Sequence, residues 1–173
     1  MAPRLLRAAA AVIGLLLAGA CARGPTVGPP STRPADPSAL DALARTSGEA
    51  GTIVETALRL VGTPYRDGGA DPAGFDCSGF VQYVFAGRGI ALPRGVGGQA
   101  RAGIKIPRQA IAAGDLVFFR TAGAAPSHVG IALDADSFVH APSSNGQVRI
   151  DRLSAPYWTR RFVGARRVAS PGR

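Results

Sequence analysis

At Gly114 the hydrophobic pattern of this 173-residue chain changes period, and that change limits the folds open to it. Before it, apolar residues recur at helical spacing: Ile53, Ala57, Leu58, Leu60 and Val61, then Phe80, Val81, Val84 and Phe85. Such stripes need one buried face each. Gly62 with Pro64 closes the first segment and Gly87 the second. After Gly114 the apolar runs are short and extended. Leu116-Val117-Phe118-Phe119 reads as a buried strand. Residues 128–133 and 137–141 read as two more, joined across Asp134-Ala135-Asp136, and residues 147–150 and 161–168 complete the set. Helices first and strands afterwards predict an α+β domain, with N-terminal helices packed on an antiparallel sheet of about five strands. Its expected extent is residues 50–169. The glycine-rich turn Gly95-Val96-Gly97-Gly98 reads as a loop, followed by a helical turn over residues 99–103.

The N-terminus carries a different grammar. Arg4 and Arg7 precede an uncharged apolar run from Ala8 to Leu17, and small residues Ala18-Gly19-Ala20 precede Cys21. That is the order of an export signal over residues 1–20, with a run too short to span a bilayer comfortably. Cys21 then resembles the lipobox cysteine of bacterial lipoproteins, which is acylated as the first mature residue. Ala18 stands where that motif usually has Leu, and Ala18-Gly19-Ala20 also fits ordinary secretory cleavage. Residues 21–49 hold Pro25, Pro29, Pro30, Pro34 and Pro37 and read as a flexible tether. An acylated Cys21 would hold the domain on a membrane. By the lipoprotein resemblance, Ala22 after it suggests the periplasmic face of a Gram-negative outer membrane.

The formal net charge is +9 and Lys105 is the one lysine. Such a balance suits an anionic partner or a solvated basic surface. No basic helix with interleaved aromatics is visible, so nucleic acid is not an expected partner. Arg160, Arg161, Arg166 and Arg167 are the candidates for contact with an acidic polymer.

The expected domain has one cysteine, Cys77, and two histidines, His128 and His140. A lone cysteine with distant histidines is the pattern of a thiol nucleophile and its base. The thiolate attacks a carbonyl, an imidazole moves the proton, and a third group orients that imidazole. Cys77 sits at the predicted start of a helix, flanked by Asp76, Ser78 and Gly79. A helix N-terminus and a nearby imidazolium both lower a thiol's pKa, so a depressed value is expected. The three-residue hairpin connection puts His128 and His140 on one face of the sheet. Zinc is the alternative for a Cys and two His, but the ligands are scattered, and neither a metal nor an organic cofactor is expected.

Six blocks, in order, carry a resemblance: Gly62-Thr63-Pro64-Tyr65, Asp76-Cys77-Ser78-Gly79-Phe80-Val81, Leu92-Pro93-Arg94, Gly114-Asp115-Leu116-Val117-Phe118-Phe119, Ser127-His128-Val129-Gly130-Ile131 and His140-Ala141-Pro142. Together they resemble the NlpC family of bacterial cell-wall cysteine peptidases. The resemblance implies a papain-like fold and a catalytic triad of Cys77, His128 and His140. It implies Tyr65 beside the oxyanion, and Asp76, Ser78, Ser127 and Arg94 as substrate contacts, with Gln99 a weaker match. Asp76 and Ser78 have helix capping as a second reading. The Gly95 to Gly98 segment departs from the family's small polar residues, so substrate preference stays open.

The activity so implied is hydrolysis of an amide bond in peptidoglycan stem peptides, either γ-D-glutamyl-diaminopimelate or the D-alanyl-diaminopimelate cross-link. Two other readings remain. One is a thiol amidase or acyltransferase of the same fold on a non-wall substrate, the other a non-catalytic wall-binding lipoprotein. A monomer is the default for a tethered enzyme of this size.

Overall fold

A computed structural model describes residues 49–168. The expected export segment, Cys21 and nearly all of the expected tether lie outside the described residues. Helix α1 (Glu49–Arg59) opens the domain. A two-stranded ribbon, β1 (Ala70–Asp71) and β2 (Gly74–Phe75), leads into helix α2 (Cys77–Ala86). A four-residue helix α3 (Val96–Gln99) follows, then strands β3 (Ile104–Ile106), β4 (Leu116–Phe119), β5 (His128–Ala132), β6 (Ser137–His140) and β7 (Arg149–Arg152). Helix α4 (Pro156–Thr159) and strand β8 (Phe162–Arg167) close the chain of elements. The main sheet has six strands in the order β3-β8-β4-β5-β6-β7, every pair antiparallel.

The α+β expectation holds, with three corrections of detail. The sheet has a sixth strand: β3 is only Ile104-Lys105-Ile106, too short to show a period, and it forms by pairing with β8 at the sheet edge. The helical turn expected at 99–103 lies three residues earlier, so the glycine-rich segment is helix α3 rather than loop. Strand β7 runs to Arg152, two residues beyond its expected end.

Two apolar clusters cover the two faces of the sheet. Ile53, Val54 and Ala57 of α1 and Phe80, Val81, Val84 and Phe85 of α2 pack with Leu116, Phe118, Val129, Ile131 and Val139. On the other face Val117, Phe119, Ala132, Phe138, Leu153, Trp158 and Ala165 pack together. Strand β4 feeds both clusters, which is why its four residues are all apolar and all buried.

The start of α2 is fixed by local chemistry. Asp76 is its N-cap, in extended backbone, and its Oδ1 accepts the Gly79 N–H at 2.7 Å. Gly79 cannot be larger: a Cβ there would meet the Gly69 carbonyl oxygen at 2.0 Å. The first turn of α2 therefore seats directly on the turn before β1.

Candidate active site

Cys77 is the first residue of α2 and a free, partly exposed thiol. Its backbone N–H has no acceptor within the helix, as for every first-turn amide. Strand β5 approaches it from the side, and the Val129 N–H supports the sulfur. The expected depression of the thiol pKa is not what this setting produces. Burial and the adjacent Asp76 carboxylate push it up, against the Val129, Ser78 and Cys77 N–H groups that favour the thiolate. Burial and that carboxylate both favour the neutral thiol over the thiolate.

His128 and His140 share a sheet face, as the hairpin parity requires. The register pairs Ile131 with Val139 and Ala132 with Phe138, so the two histidines are diagonal neighbours. His128 Nε2 lies 2.7 Å from His140 Nδ1, with the rings nearly perpendicular at 87°. Both are buried. Trp158 stacks on His128 with ring centroids 5.5 Å apart, and Phe138 lies 4.8 Å from His140. Burial, then the neighbouring His140, hold His128 well below the usual imidazole range. Burial likewise lowers His140, against the opposing pull of Asp151. The raised thiol and the lowered imidazole both favour their neutral forms. His128 and Cys77 share no hydrogen bond among the described contacts, and such bonds commonly tighten only with substrate bound.

Beyond His140 stands Asp151, which the sequence reading did not single out. His140 Nε2 lies 3.1 Å from its Oδ2. Arg149 reaches both carboxylate oxygens, at 2.6 and 2.7 Å, and Trp158 Nε1 reaches Oδ2 at 2.8 Å. Burial raises Asp151, but the hydrogen bonds and charge of His140 and Arg149 outweigh it and hold the carboxyl below its ordinary range. The alternation Arg149-Ile150-Asp151 was the available signal. The expected strand stopped at Ile150, one residue short.

On the other side of Cys77, three expected site residues form one cluster. Arg94 bridges Asp76 through both guanidinium nitrogens and donates to Ser78 Oγ at 2.9 Å, while Ser78 Oγ also donates to Asp76 Oδ1 at 3.1 Å. Burial raises Asp76, yet Arg94, the Gly79 N–H and Ser78 leave it lowered. Gln99 braces this cluster from below: fully buried, it donates to the Ser78 and Pro93 carbonyls, both at 2.9 Å. Tyr65 is half-buried against the core, and its hydroxyl pKa is raised by burial first, then by Asp67, Cys77 and Asp76.

The NlpC/P60 family matches residues 62–167, a span that contains every residue just described. The chain belongs to the NlpC/P60 family. It is 44% identical over 110 residues to the murein DD-endopeptidase MepS/murein LD-carboxypeptidase of Escherichia coli K12, covering 63% of this chain and 57% of that protein. It is 42% identical over 118 residues to the probable peptidoglycan endopeptidase LytE of Bacillus subtilis, covering 66% of this chain and 33% of that protein. The match thus spans well under two thirds of either relative. Among solved structures, the NlpC/p60 domain of the peptidoglycan hydrolase SagA aligns with a TM-score of 0.62 at 34% identity, over 70% of this chain and all of that one.

Within this NlpC/P60 domain, the expected residues separate into three places. His128 opens β5 with His140 bonded to it, and the Cys77 sulfur meets the next β5 amide, Val129, while Asp76, Ser78 and Arg94 gather at the start of α2. Ser127 is engaged elsewhere: its Oγ accepts the Thr121 and Ala122 N–H groups, both at 2.9 Å, and so closes the turn between β4 and β5. That turn and the end of α4 enclose an open cavity of about 350 Å³ lined by Arg120, Thr121, Ala122, Gly123, Arg160 and Arg161. Among the described residues no acidic side chain lines it. Of the arginines expected to form a contact surface, Arg167 is taken by an ion pair with Asp115 at 2.8 Å. Among the described residues no cluster of three or more His, Cys, Asp or Glu side chains is arranged to hold a metal ion.

Proposed function

We propose that this NlpC/P60 domain is a cysteine endopeptidase that hydrolyses an amide bond in peptidoglycan stem peptides. The observation that carries the reading is the His128–His140 pair, joined at 2.7 Å, with His128 on the strand whose next amide reaches the Cys77 sulfur. The thiol passes its proton to His128 as Sγ bonds to the amide carbon, and the carbonyl electrons move to oxygen. The Cys77 N–H and the Tyr65 hydroxyl are the donors for that oxyanion. Collapse breaks the C–N bond, and the leaving amine takes the proton from His128. Water then gives a proton to His128, attacks the thioester and releases the acid and the thiol. A neutral thiol–imidazole pair suits this sequence, because each proton transfer starts from the form present near pH 7.

The Asp76–Arg94–Ser78 cluster offers a carboxylate, a guanidinium and a hydroxyl to the charged groups of a stem peptide. The cavity at Arg120, Arg160 and Arg161 would favour the carboxylates such peptides carry. The bond is either γ-D-glutamyl-diaminopimelate or D-alanyl-diaminopimelate, and the enzyme acts as a monomer tethered through an acylated Cys21. The deciding experiment digests purified sacculi with the wild-type chain and with Cys77→Ala, then analyses the muropeptides by mass spectrometry. Shorter stem peptides released only by the wild type support the reading and name the bond. No release by either sinks it.

A further inference from the structure

The hydrogen-bond chain that starts at His128 ends on a carboxylate, and its chemistry dictates where each proton sits. Arg149 and Trp158 can only donate, so Asp151 Oδ2 is an acceptor for both. An ionised Asp151 cannot donate to His140, so the 3.1 Å contact to His140 Nε2 requires a proton on that nitrogen. A neutral His140 then turns a bare Nδ1 to its partner. The 2.7 Å contact is satisfied only if His128 Nε2 holds the proton between them. One ring nitrogen of His128 is left without a proton, and it is Nδ1.

We propose that Asp151 is a positioning residue of this site, which acts through His140 to fix His128 as the Nε2–H tautomer with Nδ1 free to receive the Cys77 proton. This rests on the peptidase reading for its consequence in rate, but not for its proton arrangement. The geometry is built for the task. His128, His140 and Asp151 step diagonally across β5, β6 and β7 on one sheet face, with Phe138 opposite Asp151 and Arg149 opposite His140 in the β6–β7 ladder. Arg149 clamps the carboxylate by a two-nitrogen fork, and the Trp158 ring both stacks on His128 and donates to Asp151, so one indole fixes both ends of the chain. When His128 becomes an imidazolium, its Nε2–H bond to His140 is kept, so that contact need not be remade as the charge forms. A carboxylate paired with Arg149 for folding alone would need neither the His140 contact nor the indole donor.

The charged groups acting on the pair are Arg149 and Asp151 from β7, Cys77 of α2 meets the adjacent Val129 amide, and β4 and α4 present the rings of Phe119 and Trp158. Removing the Asp151 charge therefore takes away the anion that favours an imidazolium. The test is nitrogen NMR on the 15N-histidine-labelled full chain, together with kinetics of Asp151→Asn and Asp151→Glu on sacculus-derived muropeptides. Wild-type spectra are expected to show both His128 and His140 as Nε2–H tautomers. Asp151→Asn should give mixed tautomers, lower kcat about 10²-fold with little change in KM, and move the acidic limb of the rate profile to lower pH. Asp151→Glu should recover part of kcat. A wild-type His128 protonated on Nδ1, or an Asn variant with unchanged kcat, overturns the proposal. The spectrum needs no substrate and no variant, so it decides the matter even if Asp151→Asn fails to fold or the wall-peptide reading fails.

Discussion

Gly130 leaves the space that His140 occupies: a Cβ built on Gly130 would lie 3.1 Å from the His140 Cβ and 2.9 Å from the Val139 carbonyl oxygen. Ordinary same-face neighbours on paired strands keep their Cβ atoms about 4.5–5.5 Å apart. Gly130→Ala should therefore push β6 away and lengthen the His128–His140 contact. We expect a cost of about 1–3 kcal/mol in stability and a fall in kcat larger than that of an equally destabilised core variant. Thermal melts beside single-turnover rates check both.

The raised thiol and lowered imidazole predict how Cys77 reacts with an alkylating agent. With the thiol raised and His128 lowered, the rate of iodoacetamide modification should climb steadily from pH 6 to beyond pH 8.5, following the small thiolate fraction. A pre-formed thiolate–imidazolium pair would instead give a plateau reaching into the acid range. Seeing that plateau would contradict the neutral pair.

Stability should fall on acidification, in two stages. Buried His128 and His140 resist protonation, whereas the unfolded chain accepts protons near the ordinary value of 6.5. Their contribution is complete above that value and declines as the pH falls through it. Asp76 and Asp151 are lowered, so what they add is present above the ordinary 3.8 and is lost only below it. Urea midpoints measured from pH 8 to pH 3 should show the first decline between pH 7 and pH 5.5.

Asp76 has two jobs that one substitution can separate. Asn keeps an oxygen to cap the Gly79 N–H but loses the charge that holds Arg94. Asp76→Asn should melt within a few degrees of the wild type while raising KM for muropeptides. Asp76→Ala should lose about 1 kcal/mol of helix capping in addition.

The arginine cavity should govern how the domain holds an acidic polymer. Arg120→Ala with Arg160→Ala is expected to weaken sacculus binding by Cys77→Ala protein and to flatten its dependence on salt between 50 and 300 mM, roughly as screening predicts. Arg167 does not belong in that set, because its partner Asp115 is buried and would be stranded.

Helix α2 and strand β4 were legible in the sequence because each obeys a strong local rule. Asp76 caps, Phe80, Val81, Val84 and Phe85 recur on one side, and the four residues of β4 have no polar member to face solvent. The diagonal of His128 and His140 was legible because hairpin parity depends on loop length alone. Asp151 was not, because a carboxylate at the end of a short apolar alternation looks like an exit to solvent. Its burial is decided by Arg149 on its own strand and by His140 and Trp158, which reach it from two other elements. Trp158 was similarly hidden, since nothing in residues 156–159 shows that the indole will lie over a histidine on another strand. The raised thiol of Cys77 was missed for a like reason. Its surroundings include β5, which is remote in sequence.

Cys77 packs with the cluster under the helices, while the His128 ring packs with the cluster on the opposite sheet face. The proposed nucleophile and base are thus anchored in different halves of the domain and meet at the first residues of β5. Turnover is in that sense a gauge of how the two halves are seated. Loosening at Phe118 or Ile131, neither of them a group with a chemical role, should appear as lost rate well before it appears as lost fold.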